Sequence, residues 1–164
     1  MLIAEQLAVS GCQQLISITS SGSITAVADP PYFVIIDRAL RDEGTSHHYL
    51  PPDDWSHAPT RLIDRMRDID GLTQQVVVGP TWTTDAPYRE TPTAIGHAET
   101  AGVVAVEMEA AALYAYATAR NRDVLCVAHV TNSMATDGDD FEKGEADGAH
   151  AALELVAAMV ERLR

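Results

Sequence analysis

Cysteine is scarce in this chain of 164 residues: Cys12 and Cys126 lie far apart, the second inside an apolar run. That usage excludes a disulfide framework and fits reduced, cytoplasmic thiols. No basic leader precedes an apolar core at the N-terminus, where Met1-Leu2-Ile3-Ala4 meets Glu5 at once, so no secretory signal is expected. Long apolar runs are missing too, and none approaches the ~20 residues that a membrane-spanning helix needs. The six histidines show no metal-ligand spacing, and His47-His48, the nearest thing to a cluster, would point to opposite sides of an extended segment. No metal is expected. Basic residues are few, 11 against 24 acids, for a formal net charge of −13. Such a surface repels nucleic acid and anionic membranes, so neither is expected as a partner, and an anionic substrate would need a local positive site.

What is present is an alternation of two hydrophobic periods. Residues 3–10 read as a short helix stopped by Gly11, and 15–19 as a strand followed by the small polar cluster Ser20-Ser21-Gly22-Ser23. Asp29-Pro30-Pro31 makes a turn before an apolar strand over 32–36, and 40–54 reads as a long polar loop. Leu62, Ile63, Met66 and Ile69 recur at helical spacing up to Gly71. A strand over 75–78 is bounded by Gly79-Pro80, and the threonine-rich stretch 81–93 reads as a loop. A strand over 103–106, a helix over 110–119, a strand over 124–130 and a polar loop over 131–140 follow. The last helix carries Ala149, Leu153, Val156, Val160 and Leu163 along one stripe. Strands alternating with helices, without repeats or linkers, indicate one α/β domain spanning 1–164 with a parallel or mixed sheet.

The densest information lies in the run Val104-Ala105-Val106-Glu107-Met108-Glu109-Ala110-Ala111-Ala112-Leu113-Tyr114. Two carboxylates flank a methionine where an apolar strand meets a strong helix former. Burying acids there is costly unless they bind something polar, and a vicinal diol such as a ribose offers two hydroxyls to one carboxylate. The alternative is a helix N-terminus whose glutamates complement the macrodipole. Polar clusters follow strand after strand, at Ser20 to Ser23, Thr83 to Tyr88, Glu107 to Glu109 and Thr131 to Ser133. Ligands of open α/β sheets bind at such strand ends.

With these motifs in order, the chain resembles, over essentially its whole length, the nucleoside phosphorylases of the hexameric purine and uridine type, a superfamily that includes related nucleosidases. The segment Ala105-Val106-Glu107-Met108-Glu109-Ala110-Ala111 is similar to that family's ribose signature. Supporting pieces are Arg41-Asp42-Glu43-Gly44-Thr45-Ser46 with Tyr49, Thr83-Thr84-Asp85-Ala86 before Tyr88, and Val130-Thr131-Asn132. The resemblance implies a three-layer α/β fold with a mixed, partly barrel-like central sheet flanked by helices, shortened at its N-terminus. It implies a pentosyltransferase that cleaves the N-glycosidic bond of a nucleoside, with phosphate as co-substrate and no cofactor. By the same resemblance, Glu107, Met108 and Glu109 hold the ribose, Ser20 contacts phosphate, and Thr83, Pro87, Tyr88 and Asn132 face the base. Glu109 and Asn132 are the implied catalytic residues. The implied assembly is a homodimer or a trimer of dimers, with a neighbour completing each site near residues 41–49.

Chemistry supports these roles. Glycosidic cleavage builds oxocarbenium character on the ribose, which a carboxylate such as Glu109 stabilises more in the transition state than in the ground state. Asn132 stands where purine-type members carry an aspartate; it can hydrogen-bond a departing base but cannot transfer a proton, which suits a 6-oxopurine better than adenine. Ser17 stands where phosphorolytic members carry an arginine, and Met1 begins beyond their first strands and phosphate turn. Two alternatives therefore stand beside phosphorolysis: hydrolysis by water, and a non-catalytic nucleoside-binding or oligomer-partner role. Uracil reading in the manner of uridine-type members is not expected, because 89–93 offers Thr91 and Thr93 where those members place glutamine and arginine.

Overall fold

The computed structural model describes residues 1–133 and 145–164. Helix α1 (Leu2–Val9) ends at Gly11, whose φ of +94° is a left-handed conformation that glycine tolerates best. Strand β1 (Gln14–Ser23) leads to β2 (Tyr32–Asp42), then to a short 3-10 turn (Ser46–His48), β3 (Trp55–His57) and α2 (Thr60–Met66). Next come β4 (Val76–Thr84), a 3-10 turn (Pro87–Arg89), α3 (Pro92–Thr100), β5 (Ala105–Glu107), α4 (Ala110–Arg120) and β6 (Asp123–Ser133). Past the segment 134–144, a 3-10 turn (Glu145–Gly148) precedes α5 (Ala149–Leu163). No helix among the described residues is long and apolar enough to cross a membrane.

The sheet closes on itself. β1 pairs in parallel with β6 and antiparallel with β5; β5 pairs in parallel with β4, β4 in parallel with β2, and β2 returns antiparallel to β6. β3 is added to the free side of β2. The result is the mixed, barrel-like sheet expected, with helices packed around it. Tyr32, Phe33, Val34, Ile35 and Ile36 are completely or almost completely buried, as a strand read by a continuous apolar run should be. Tyr114 ties α4 to the barrel: its hydroxyl donates to the Ile36 carbonyl at 2.5 Å and accepts from the Cys126 amide at 3.0 Å. Burial pushes both the Tyr114 phenol and the Cys126 thiol well above their ordinary pKa values.

Four stretches expected as loop are strand instead. Ser20 to Ser23, Leu40 to Asp42, Thr81 to Thr84 and Thr131 to Ser133 all continue the ladders. Apart from Gly22, Leu40 and Trp82 these residues are polar, but closure gives their backbone groups partners, and pairing rather than hydropathy sets where the strands end. Gly79-Pro80 does not end β4. The β2–β4 register breaks between Ile36 and Ala39, opposite the proline, so the bulge absorbs the missing donor. A Cβ at Gly79 would sit 3.1 Å from Val104 Cγ2, so a larger residue there requires Val104 to give way by a few tenths of an ångström.

Two helices also depart from expectation. α3 lies in the stretch that hydropathy leaves unassigned, although Thr91 caps it by accepting from the Ala94 amide at 3.3 Å and Pro92 opens its first turn. α5 buries Leu155 and Met159, whereas Leu153 of the expected stripe is 67% exposed and Val160 38%. The correction has a packing cause: α5 lies on α2, with Arg65 donating to the Arg162 carbonyl and Arg162 to the Arg65 carbonyl, which turns Leu155 and Met159 inward beside Leu62, Ile63 and Met66. The expected loop over 131–140 lies, beyond Ser133, outside the described residues.

Candidate functional site

The registers bring the C-terminal residues of four strands together. Gly22 lies opposite Val106 on one side and Asn132 on the other, and Thr83 lies opposite Glu107. A cleft of about 400 Å³ opens here, lined by Ser20, Ser21 and Gly22 of β1, Val106 and Glu107 of β5, Met108, Thr131 and Asn132 of β6, and Pro87, Tyr88 and Glu90 of the segment after β4. That volume lies within the ordinary range of small-molecule sites. The fold thus gathers Ser20, Pro87, Tyr88, Glu107, Met108 and Asn132 around one space.

The floor of the cleft is held by Glu107, which is only 3% exposed. Its Oε1 accepts from the Thr81 hydroxyl at 3.0 Å and the Thr83 hydroxyl at 2.5 Å. Its Oε2 accepts from the amides of Glu109 and Ala110, both at 2.7 Å. Four donors thus meet one buried carboxylate. Burial pushes its pKa up, and the hydrogen bonds, that from Thr83 foremost, pull it back. Two of the donors are first amides of α4, so Glu107 satisfies orphan N–H groups at the positive end of that helix. The helix-terminus reading of this acid is what the geometry gives.

Thr83 lies beneath the cleft, not along it. It is fully buried, donating to Glu107 and accepting from the Ala111 amide at 2.9 Å. Glu109 is the exposed N-cap residue of α4, with Oε2 accepting from the Met108 amide at 3.3 Å, beside the cleft but not among its lining residues. Met108 is 48% exposed and Tyr88 wholly so, which places an apolar thioether and a free aromatic ring at the rim. Ser20 is exposed, its strand neighbour Ser21 buried.

Sequence reasoning passed over Glu90, which also lines the cleft; partial burial raises its carboxyl pKa, and no partner among the described residues offsets this. A signal existed: Glu90 directly precedes the Thr91-Pro92 helix start, which fixes where the chain turns. Among the described residues lining the cleft there are two carboxylates and no cation. Arg41, the arginine of the motif 41–46, is buried and engaged elsewhere, donating to Ser46 Oγ and to the Pro51 carbonyl, both at 2.8 Å. No cluster of three potential metal ligands occurs among the described residues.

The family model described as the phosphorylase superfamily matches residues 1–163. A guanosine phosphorylase of Halorubrum lacusprofundi is 28% identical over 120 residues, which make up 71% of this chain and 48% of that protein. The chain therefore spans about half the length of the curated relative it matches.

Proposed function

The chain belongs to the phosphorylase superfamily, and from that premise we propose that it cleaves the N-glycosidic bond of a purine nucleoside, with phosphate as the acceptor of the ribosyl group. The observation that carries this reading is the junction of β5 and α4, where Met108 and Glu109 emerge beside a nucleoside-sized cleft whose other walls bring Ser20 and Asn132. Met108 offers the sugar an apolar contact. Glu109 supplies the negative charge that an oxocarbenium-like ribose gains from most in the transition state. Asn132 donates to the base as negative charge develops on it. Pro87 and Tyr88 pack against its ring, and Ser20 with neighbouring amides receives phosphate. The guanosine phosphorylase relative is consistent with a 6-oxopurine.

One observation favours a second reading, hydrolysis. The described lining of the cleft holds Glu90 and Glu107 but no cation, on a chain of net charge −13, and phosphate is bound best by an arginine fork. The test is incubation with inosine, guanosine, adenosine and uridine, with and without phosphate. Ribose 1-phosphate formed only with phosphate supports phosphorolysis, and free ribose in its absence supports hydrolysis. No base released from any nucleoside under either condition overturns both.

A further inference from the structure

Thr81 and Thr83 are the part of the threonine-rich segment that the proposed chemistry leaves without a role. Both are fully buried, two residues apart on β4, so the strand period puts their side chains on one face. Both hydroxyls converge on one oxygen of Glu107 while the other oxygen holds the amides of Glu109 and Ala110. Thr83 also accepts from the Ala111 amide. Thus β4, β5 and the first turn of α4 are joined through one carboxylate and two hydroxyls. The turn they frame is the one bearing Met108 and Glu109.

We propose that Thr83, through Glu107 and with Thr81 in support, is a positioning residue that fixes the Met108-Glu109 turn against the cleft, and that it does not contact the base. The inference rests on the reading of Glu109 as the residue that acts on the sugar. A valine could fill the same volume in a barrel wall. Only a hydroxyl both donates to the carboxylate and accepts from the helix amide, and Thr83 does both. The other titratable groups around this carboxylate are Glu109 on the same turn, Glu90 across the cleft, and Tyr114 and Cys126, both of which feel its charge. None of their side chains is among its hydrogen-bond donors.

The test compares Thr83→Val, Thr83→Ser and Thr81→Val with the parent in two measurements. Carbon-detected NMR titration follows the Glu107 carboxyl, with the Glu109, Ala110 and Ala111 amide resonances as reporters of the turn. Thr83→Val should move the Glu107 midpoint upward, since a hydrogen bond that favours the charged form is gone, and should shift all three amides. Thr81→Val should move it less in the same direction, and Thr83→Ser should restore it. In nucleoside cleavage, Thr83→Val should lower kcat/KM by roughly tenfold or more for every base alike, as small misplacements of a reacting group do. A changed ratio between inosine and adenosine with an unmoved Glu107 midpoint makes Thr83 a base contact and overturns the proposal. Lost stability with an unmoved midpoint and unchanged kcat/KM makes Thr83 a plain packing residue and also overturns it. Should Thr83→Val fail to fold, Thr81→Val and Thr83→Ser still decide by the direction of the midpoint. A parent that cleaves no nucleoside ends the functional reading, while the titration still decides whether Thr83 and Glu107 fix the turn.

Discussion

Glu107 and Glu109 stand two residues apart in the same motif and meet opposite environments. Glu107 is 3% exposed and holds four donors; Glu109 is exposed, with one long hydrogen bond from its neighbour's amide. The difference separates two tasks that sequence alone merges under one signature. A carboxylate whose acceptor sites are filled by the protein has little capacity left for a ligand. One whose acceptor sites are largely open, at a helix N-terminus beside a cleft, can take hydroxyls or face developing positive charge. The same contrast recurs at Arg41 and Glu43. Within the motif 41–46, Arg41 is spent on Ser46 and Pro51, and Glu43 on the amides of Thr45 and Ser46. Much of what looks like a site in this chain is the framework that shapes one.

The largest test of the contrast is stability. Glu107→Ala leaves the buried Ala110 amide and the partly buried Glu109 amide without an acceptor, and orphaned donors cost about 1–3 kcal/mol each, so a loss of about 2–6 kcal/mol is expected. Glu109→Ala removes an exposed side chain that makes no cap bond, and a change within about 0.5 kcal/mol is expected. Chemical denaturation of both variants checks this. Equal losses would erase the division between framework and site.

Activity should invert that order. Glu109→Gln keeps the shape and removes the charge, and turnover should fall by roughly 10²-fold, as when other preorganised electrostatic groups are removed. Turnover within a few-fold of the parent would make Glu109 a second structural acid. Steady-state kinetics with inosine, at matched thermal stability, separates the outcomes.

The contrast also explains what was legible in the sequence. Strand cores followed from hydropathy and the stop of α1 from Gly11, whereas α2 ends at Met66, short of the expected Gly71; the ribose-like signature picked out the junction where the cleft opens. Strand ends were not legible, because Ser20 to Ser23 and Thr81 to Thr84 are mostly polar stretches whose extended state is imposed by partners distant in sequence. The buried face of α5 was misread because an apolar stripe is ambiguous until its neighbour α2 is placed. Thr83 was expected to face the base by resemblance alone, and a motif in order does not say whether a hydroxyl meets a ligand or a buried carboxylate, as Thr83 does with Glu107. Glu90 was hidden in a polar stretch with no period at all.

The smallest and most specific effect concerns Asn132, on the wall of the cleft where the proposed chemistry ends at the base. Gly22 pairs with it across β1 and β6, so its backbone is fixed, and its half-buried side chain lines the cleft. An amide presents one donor and one acceptor group, which together match a ring N–H beside a carbonyl, as at N1–H and O6 of a 6-oxopurine. Adenine's 6-amino donor beside N7 can also pair with an amide, but its departure gains most from a group that can pass a proton, which asparagine cannot do. Inosine or guanosine should therefore exceed adenosine in kcat/KM. Asn132→Asp keeps the size, adds a carboxyl that can be protonated, and should shift that ratio toward adenosine by about 1–3 kcal/mol, the worth of one good hydrogen bond in discrimination. The shift should be larger on the acid side of neutrality, where more of the carboxyl carries the proton it must donate. A ratio unchanged at every pH, with both nucleosides turned over, would remove Asn132 from the base pocket.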